Sequence, residues 1–249
     1  MGAEWRRAVA AELAAAGAKT GLKRTLLSLT LFGFAFGQVE AAVVVYLRTI
    51  AQPFRAHLGL PIGDPLPLFD PAQLGETQRL MYIELGREAG TLLMLAAAAG
   101  GAASRNLRTW AAAFALVFGV WDLSFYFWLW AMIRWPPSLG TWDLLFLLPV
   151  PWAAPVAAPI IVAASLAVGG AITLARDPQT APKTAWALLL GGAVALLVAF
   201  MWDWRHWIAG GMPRGFPWLI FGAGELLGLS GFALGVRRQR SPVSAATAN

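Results

Sequence analysis

The sequence predicts an all-α integral membrane protein, a bundle of six transmembrane helices with a short N-terminal amphipathic helix. Three observations carry that prediction. Of 249 residues, 58% are hydrophobic and only 13% charged, against roughly a quarter charged in an ordinary soluble domain. Apolar stretches recur at the length of about 20 residues that a helix needs to cross a bilayer. The Lys and Arg residues then fall in alternate connections between those stretches, as positive-inside topology requires.

Taken in order, residues 1–24 form a cytoplasmic amphipathic segment, with Trp5, Val9 and Leu13 on one helical stripe beside basic residues. Residues 25–236 form the membrane domain, and 237–249 a cytoplasmic tail. The crossings are read at 25–46, 81–101, 109–132, 142–174, 185–207 and 216–236. The second qualifies only when its charged start is included. The fourth is too long for one simple crossing, and Pro149, Pro151, Pro155 and Pro159 are expected to break or kink it, leaving a short interfacial segment first. In the Pro-rich connection before the second crossing, Asp70-Pro71 reads as a helix N-cap followed by Pro at the first helical position. Gly33-x-x-x-Gly37, Gly224-x-x-x-Gly228 and Gly231-x-x-x-Gly235 let helices approach closely within the bundle.

Six crossings put Arg6, Arg7, Lys19, Lys23 and Arg24, then Arg105 and Arg108, then Arg176 and Lys183, then Arg237, Arg238 and Arg240 on one side. The other side receives Arg48, Arg55, Arg79, Arg134, Arg205 and Arg214, with Arg87 left inside a helix. Twelve against six expects both termini in the cytoplasm of a bacterial-type inner membrane. The same placement accounts for the net charge of +6 without nucleic acid. Zero Cys excludes disulfides, iron–sulfur clusters, thiolate metal sites and c-type haem attachment. There are two histidines, His57 and His206, and bis-His haem ligation would consume both.

Ionisable residues inside hydrocarbon are costly, about 2.5 to 3.5 kcal/mol each on insertion scales. This chain carries Glu40, Glu84, Arg87, Glu88, Asp122, Asp143, Asp203, His206 and Glu225 in its crossings. The topology puts all of them outside the cytoplasmic half, which predicts a single polar site in the outer half of the bundle. Glu84, Arg87, Glu88 and Thr91 share one helix face, Asp122 and Tyr126 another, Asp203 and His206 a third. Arg87, or a bound cation, is expected to relieve the repulsion between Glu84 and Glu88, and Arg87 with Glu88, or Arg48 with Glu40, reads otherwise as a structural ion pair between helices. Arg48, Arg134 and Arg205, near helix ends, are expected to reach outward to water.

Two kinds of ligand fit this pattern. A metal ion such as iron, manganese or zinc suits the oxygen-rich set Glu40, Glu84, Glu88, Asp122, Asp203, His206 and Glu225, although only Asp203-x-x-His206 comes near the Glu-x-x-His spacing of dimetal centres. The aromatic segment around Trp121, Tyr126 and Trp142 reads as a vestibule that an apolar or quinone-like ligand enters from the lipid bilayer. The bland readings are an interfacial aromatic belt and structural ion pairs between helices. No P-loop, dinucleotide fingerprint, HExxH or GxSxG is present. The function classes left are a carboxylate-rich metal or cation site, catalytic or not, a proton- or cation-coupled transporter, and a non-catalytic subunit of a membrane complex.

Overall fold

The computed structural model describes residues 2–60, 63–66, 78–103, 106–176 and 181–237. Six long helices dominate: α1 (Gly2–His57), α2 (Gln78–Ala103), α3 (Leu107–Ile133), α4 (Ala157–Leu174), α5 (Lys183–Phe200) and α7 (Trp218–Arg237), with a short α6 (Trp204–Ile208) and a two-stranded hairpin, β1 (Trp142–Phe146) and β2 (Trp152–Pro155). Five of the helices are long and apolar enough to cross a membrane, lying in α1, α3, α4, in the stretch from α5 through α6, and in α7. The chain is thus a mostly helical, multi-pass membrane protein.

Two expectations change. The N-terminal segment is not a separate helix, because α1 runs unbroken for 56 residues, about 84 Å at helical rise. Its side chains Trp5, Val9 and Leu13, and the Asp70-Pro71 cap, lie outside the described residues. The stretch 142–174 breaks among its prolines as expected, but the segment ahead of the helix is a strand pair. Its first part is the antiparallel hairpin, pairing Trp142 with Pro155, Asp143 with Ala154 and Leu144 with Ala153 before a bulge brings Phe146 opposite Trp152. Pro149, Pro151 and Pro155 each lack the N–H that a helix interior needs, so the segment turns back on itself and the helix starts only after Pro155. The hairpin base is tied to α4 by backbone: Val156 N–H donates to Thr141 O and Ala157 N–H to Leu139 O, both at 2.9 Å.

Glycines set the helix spacing. A Cβ on Gly33 would stand 2.9 Å from the Val117 carbonyl of α3, and one on Gly192 of α5 would stand 2.6 Å from the Gly224 carbonyl of α7. Both contacts are backbone against helix, which only a residue without a side chain permits. α3 is bounded at each end by local chemistry. Asn106 accepts from the Thr109 N–H at 2.9 Å to cap its start. At its end Arg134 takes φ 55° and lays its guanidinium over Trp130, 4.4 Å from the ring centre. The main apolar core lies between α1, α2 and α3, around Leu29, Leu95, Leu116 and Val117. A second cluster joins the hairpin base and α4 to α5 and α7 through Ala154, Ala158, Phe200 and Phe221.

Candidate functional site: a cavity under the hairpin

A cavity of about 310 Å³ opens where the later part of α1, the first half of α2 and the middle of α3 meet the hairpin. Six carboxyl groups line it, Glu40, Asp64, Glu84, Glu88, Asp122 and Asp143, with three guanidiniums, Arg48, Arg55 and Arg87. Helical spacing explains the density on α2, where Glu84, Arg87, Glu88 and Thr91 repeat at three- and four-residue steps and so share one face.

Arg87 bridges two helices. It pairs with Glu40 of α1 and with Glu84 one turn back on its own helix, where its Nε donates at 2.9 Å. The Thr91 hydroxyl donates to the other oxygen of Glu40 at 3.3 Å. Glu88 is served differently from the expected Arg87 pairing, since both its oxygens accept from the Leu147 N–H, at 3.0 and 2.9 Å. Irregular backbone beside membrane helices is tolerated where it lines a cavity and finds partners. Glu88 is that partner, so one acid satisfies the hairpin tip.

Arg48 does not pair with Glu40 or reach out to water. Its Nη2 lies 3.6 Å from Asp143, its Nη1 donates to the Gly63 carbonyl at 3.3 Å, and its guanidinium stacks 3.8 Å from the centre of Trp135. Asp143, placed by the sequence among the ionisable residues of the crossings, is 3% exposed and also accepts from the Tyr126 hydroxyl at 3.0 Å. It stands on the hairpin, outside the membrane-crossing helices. There burial pushes its carboxyl up to about 6, against the opposing pull of Arg48 and of the Tyr126 hydrogen bond. Arg55 donates to the Leu66 carbonyl at 3.1 Å, and Asp64 accepts from the Trp135 indole at 3.4 Å. Asp122 alone among the six carboxyl groups has neither a hydrogen-bond donor nor an ion-pair partner among the described residues.

The expected site residues therefore divide. Glu40, Glu84, Glu88, Asp122, Trp121 and Tyr126 come together on the cavity wall. Glu225, Asp203, His206 and Trp142 do not line it. Glu225 on α7 is buried against α4, where its one hydrogen bond comes from Ser165 at 3.4 Å. Asp203 heads α6 without a side-chain cap bond. The His206 ring holds the following loop, with Nε2 3.0 Å from the Met212 carbonyl and Arg214 donating to Nδ1 at 3.1 Å. That arrangement requires the Nε2–H tautomer and leaves neither nitrogen for a metal. Trp142 packs edge-on to Trp207 and Phe216, with ring centres 6.5 and 6.2 Å apart.

Among the described residues, no group of three or more His, Cys, Asp or Glu side chains is arranged to hold a metal ion. Arg48, Asp64, Thr91, Asp143 and Trp152 were missed as site residues. Arg48 and Asp143 carried a readable signal as charges beside apolar runs, and Thr91 one in its helical spacing from Glu84 and Glu88; Asp64 and Trp152 are recruited by tertiary contacts. Comparison of the chain with protein-family models, with curated proteins and with solved structures yields no match.

Proposed function

We propose that this protein crosses a bacterial-type inner membrane six times, with both termini cytoplasmic, and that its cavity holds an exchangeable positive charge at Asp122. α2 is the sixth crossing in this reading; its 26 residues span about 39 Å, and its charged start faces the cavity. The twelve-to-six division of Lys and Arg supports the orientation. Reporter fusions after Arg240 and within residues 56–78 test it, and a periplasmic C-terminus would overturn it.

One observation carries the functional reading. All three arginines of the cavity are already engaged, while Asp122 has no counter-charge among the described residues. A deprotonated carboxylate at that depth costs several kcal/mol, so a proton or a bound cation accompanies it. An acid that must gain and lose such a charge is the working part of a proton- or cation-coupled membrane protein. A purely structural network predicts that every acid is paired, and Asp122 breaks that pattern. The metal form of the reading, with iron, manganese or zinc, has weaker support, because His206, Asp203 and Glu225 stand apart from the cavity, and no described imidazole lines it for ions that take nitrogen as well as oxygen ligands.

The test uses purified protein in detergent. Infrared titration should reveal a protonated carboxyl band that is lost in Asp122→Asn, or else a cation should raise thermal stability in the parent and not in the variant. Absence of both responses overturns the reading, and stoichiometric metal that survives Asp122→Asn replaces it with the metal centre.

A further inference from the structure

Asp122 sits among rings. Phe118 and Phe125 stand four residues before it and three after it on α3, so helical spacing puts both on its face, one turn to either side. All three line the cavity, and the hairpin adds Phe146 and Trp152, with ring centres 5.5 Å apart. Phe146 lies 6.3 Å from the ring of Trp121, which is 5.3 Å from that of Phe118. Phe118, Phe125, Phe146 and Trp152 each keep part of their surface open.

The Asp122 carboxyl is open too. Neither of its oxygens has a donor among the described residues, and neither is sealed off as the unpartnered Glu225 Oε1 is. The side-chain donors beside it are spent or closed. The Tyr126 hydroxyl serves Asp143, and the indole N–H groups of Trp121 and Trp152 are sealed within the protein. Charge and size then choose the ligand. Six carboxyl groups against three guanidiniums in the lining rule against an anion. A bare metal ion wants several converging ligands, and among the described residues no group of three or more acids or histidines is arranged to hold one. The volume, about 310 Å³, is that of a small-molecule pocket and far exceeds a bare ion. A primary ammonium brings three N–H donors and needs three acceptors, whereas every oxygen of Glu40, Glu84, Glu88 and Asp143 already has a partner. A quaternary ammonium needs no acceptor. It balances a single carboxylate, and aromatic rings hold it through their faces.

We propose that the cavity binds a small quaternary ammonium compound, its charge balanced by Asp122 and its methyl groups packed against the rings of Phe118 and Phe125. The proposal rests on the reading of Asp122 as the holder of an exchangeable positive charge and names the chemical class of that charge. A choline-type lipid head group carries the same cation. Its phosphate would have to enter the acidic lining, which favours the free compound.

Equilibrium binding to delipidated protein in an uncharged detergent tests this with choline, its uncharged carbon isostere 3,3-dimethylbutan-1-ol, sodium ion and dioleoylphosphatidylcholine. Choline should bind saturably at about one per chain and the isostere at least about tenfold more weakly. Neither sodium nor the phospholipid, at the concentration of choline, should displace it. Asp122→Asn should raise the choline Kd at least about tenfold. Phe125→Leu, which keeps an apolar side chain and removes the ring, should raise it about fivefold. Both should leave the helical circular dichroism unchanged, and Glu225→Gln, outside the cavity, should leave the Kd unchanged. Equal binding of the isostere, displacement by sodium or by the phospholipid, or an unaltered Kd in Asp122→Asn would overturn the proposal. If Asp122→Asn does not fold, the isostere comparison in the parent and the Phe125→Leu Kd decide it. The two readings fail separately. A protonated Asp122 carboxyl band without choline binding would sink the ligand class alone, whereas choline binding that survives Asp122→Asn, with no such band in the parent, would sink both.

Discussion

Two regions of this molecule use buried acids in opposite ways. Beneath the hairpin, Glu40, Glu84, Glu88 and Asp143 are cross-linked to arginines, hydroxyls and backbone from four separate elements. In the pair formed by α5 and α7, a single acid, Glu225, sits 9% exposed behind a glycine-mediated contact. Ser165 donates to one of its oxygens at 3.4 Å, and the other oxygen has no partner among the described residues. The difference teaches that an acid in an apolar helix is not by itself a site. A site needs several elements that converge, whereas Glu225 has, among the described residues, a hydrogen bond from Ser165 of α4 alone.

The sharpest way to break that comparison is to remove the residue that ties α1 to α2. Arg87→Met leaves Glu40 and Glu84 without their shared counter-charge, and removing one partner of a buried pair costs about 3 to 5 kcal/mol. Thermal unfolding in detergent should fall accordingly, and a loss below about 1 kcal/mol would mean that the network is solvated. In the other region the vulnerable position is a glycine. Gly192→Leu drives a side chain into the Gly224 carbonyl and should cost about 1 to 3 kcal/mol by overpacking, loosening α5 from α7 while the cavity stays intact. Loss of the Asp122 carboxyl or cation response in a folded Gly192→Leu protein would show that the two regions are coupled.

A smaller effect concerns Asp143. Its folded carboxyl, near 6, lies above the ordinary unfolded value of about 3.9, so the folded state binds more protons between those two pH values. Its contribution to stability is therefore fullest below about pH 4, declines as pH rises through about 6, and is level above that. Asp143→Asn should remove this part of the pH profile of thermal stability; identical slopes in parent and variant would mean that Asp143 titrates normally. The smallest effect is expected at Glu225. Glu225→Gln keeps an acceptor for Ser165 and removes an ionisable group, so stability should stay within about 0.5 kcal/mol of the parent or rise. A loss of more than about 2 kcal/mol would give Glu225 a charged partner and erase the contrast between the regions.

Much of this was legible without coordinates, for identifiable reasons. The apolar runs at 109–132 and 216–236 reappear as α3 and α7 within a few residues, because length and hydropathy alone decide whether a helix suits a bilayer. The shared face of Glu84, Arg87, Glu88 and Thr91 follows from helical periodicity and needs no tertiary information. So does the joint placement of Asp122 and Tyr126, one turn apart on α3. The hairpin was hidden because a proline-rich apolar run is compatible with a kinked helix or a turned-back strand pair. What decided between them was α2, where Glu88 supplies an acceptor for the tip, and α3, where Tyr126 holds Asp143.

By itself, then, the sequence determined that the chain lives in a membrane, which stretches are apolar helices, and which acids share a helix face. Those are properties of single segments and of their solvent. The tertiary structure alone decided that Arg87 serves Glu40 and that Arg48 serves Asp143. It also decided that Glu225 and His206 stand apart from the cavity, and that among the described residues Asp122 and the buried indole N–H groups of Trp121, Trp152 and Trp207 are left without partners. Pairing depends on distances between elements far apart in the chain, and helical periodicity says which way a residue faces but not what it meets there.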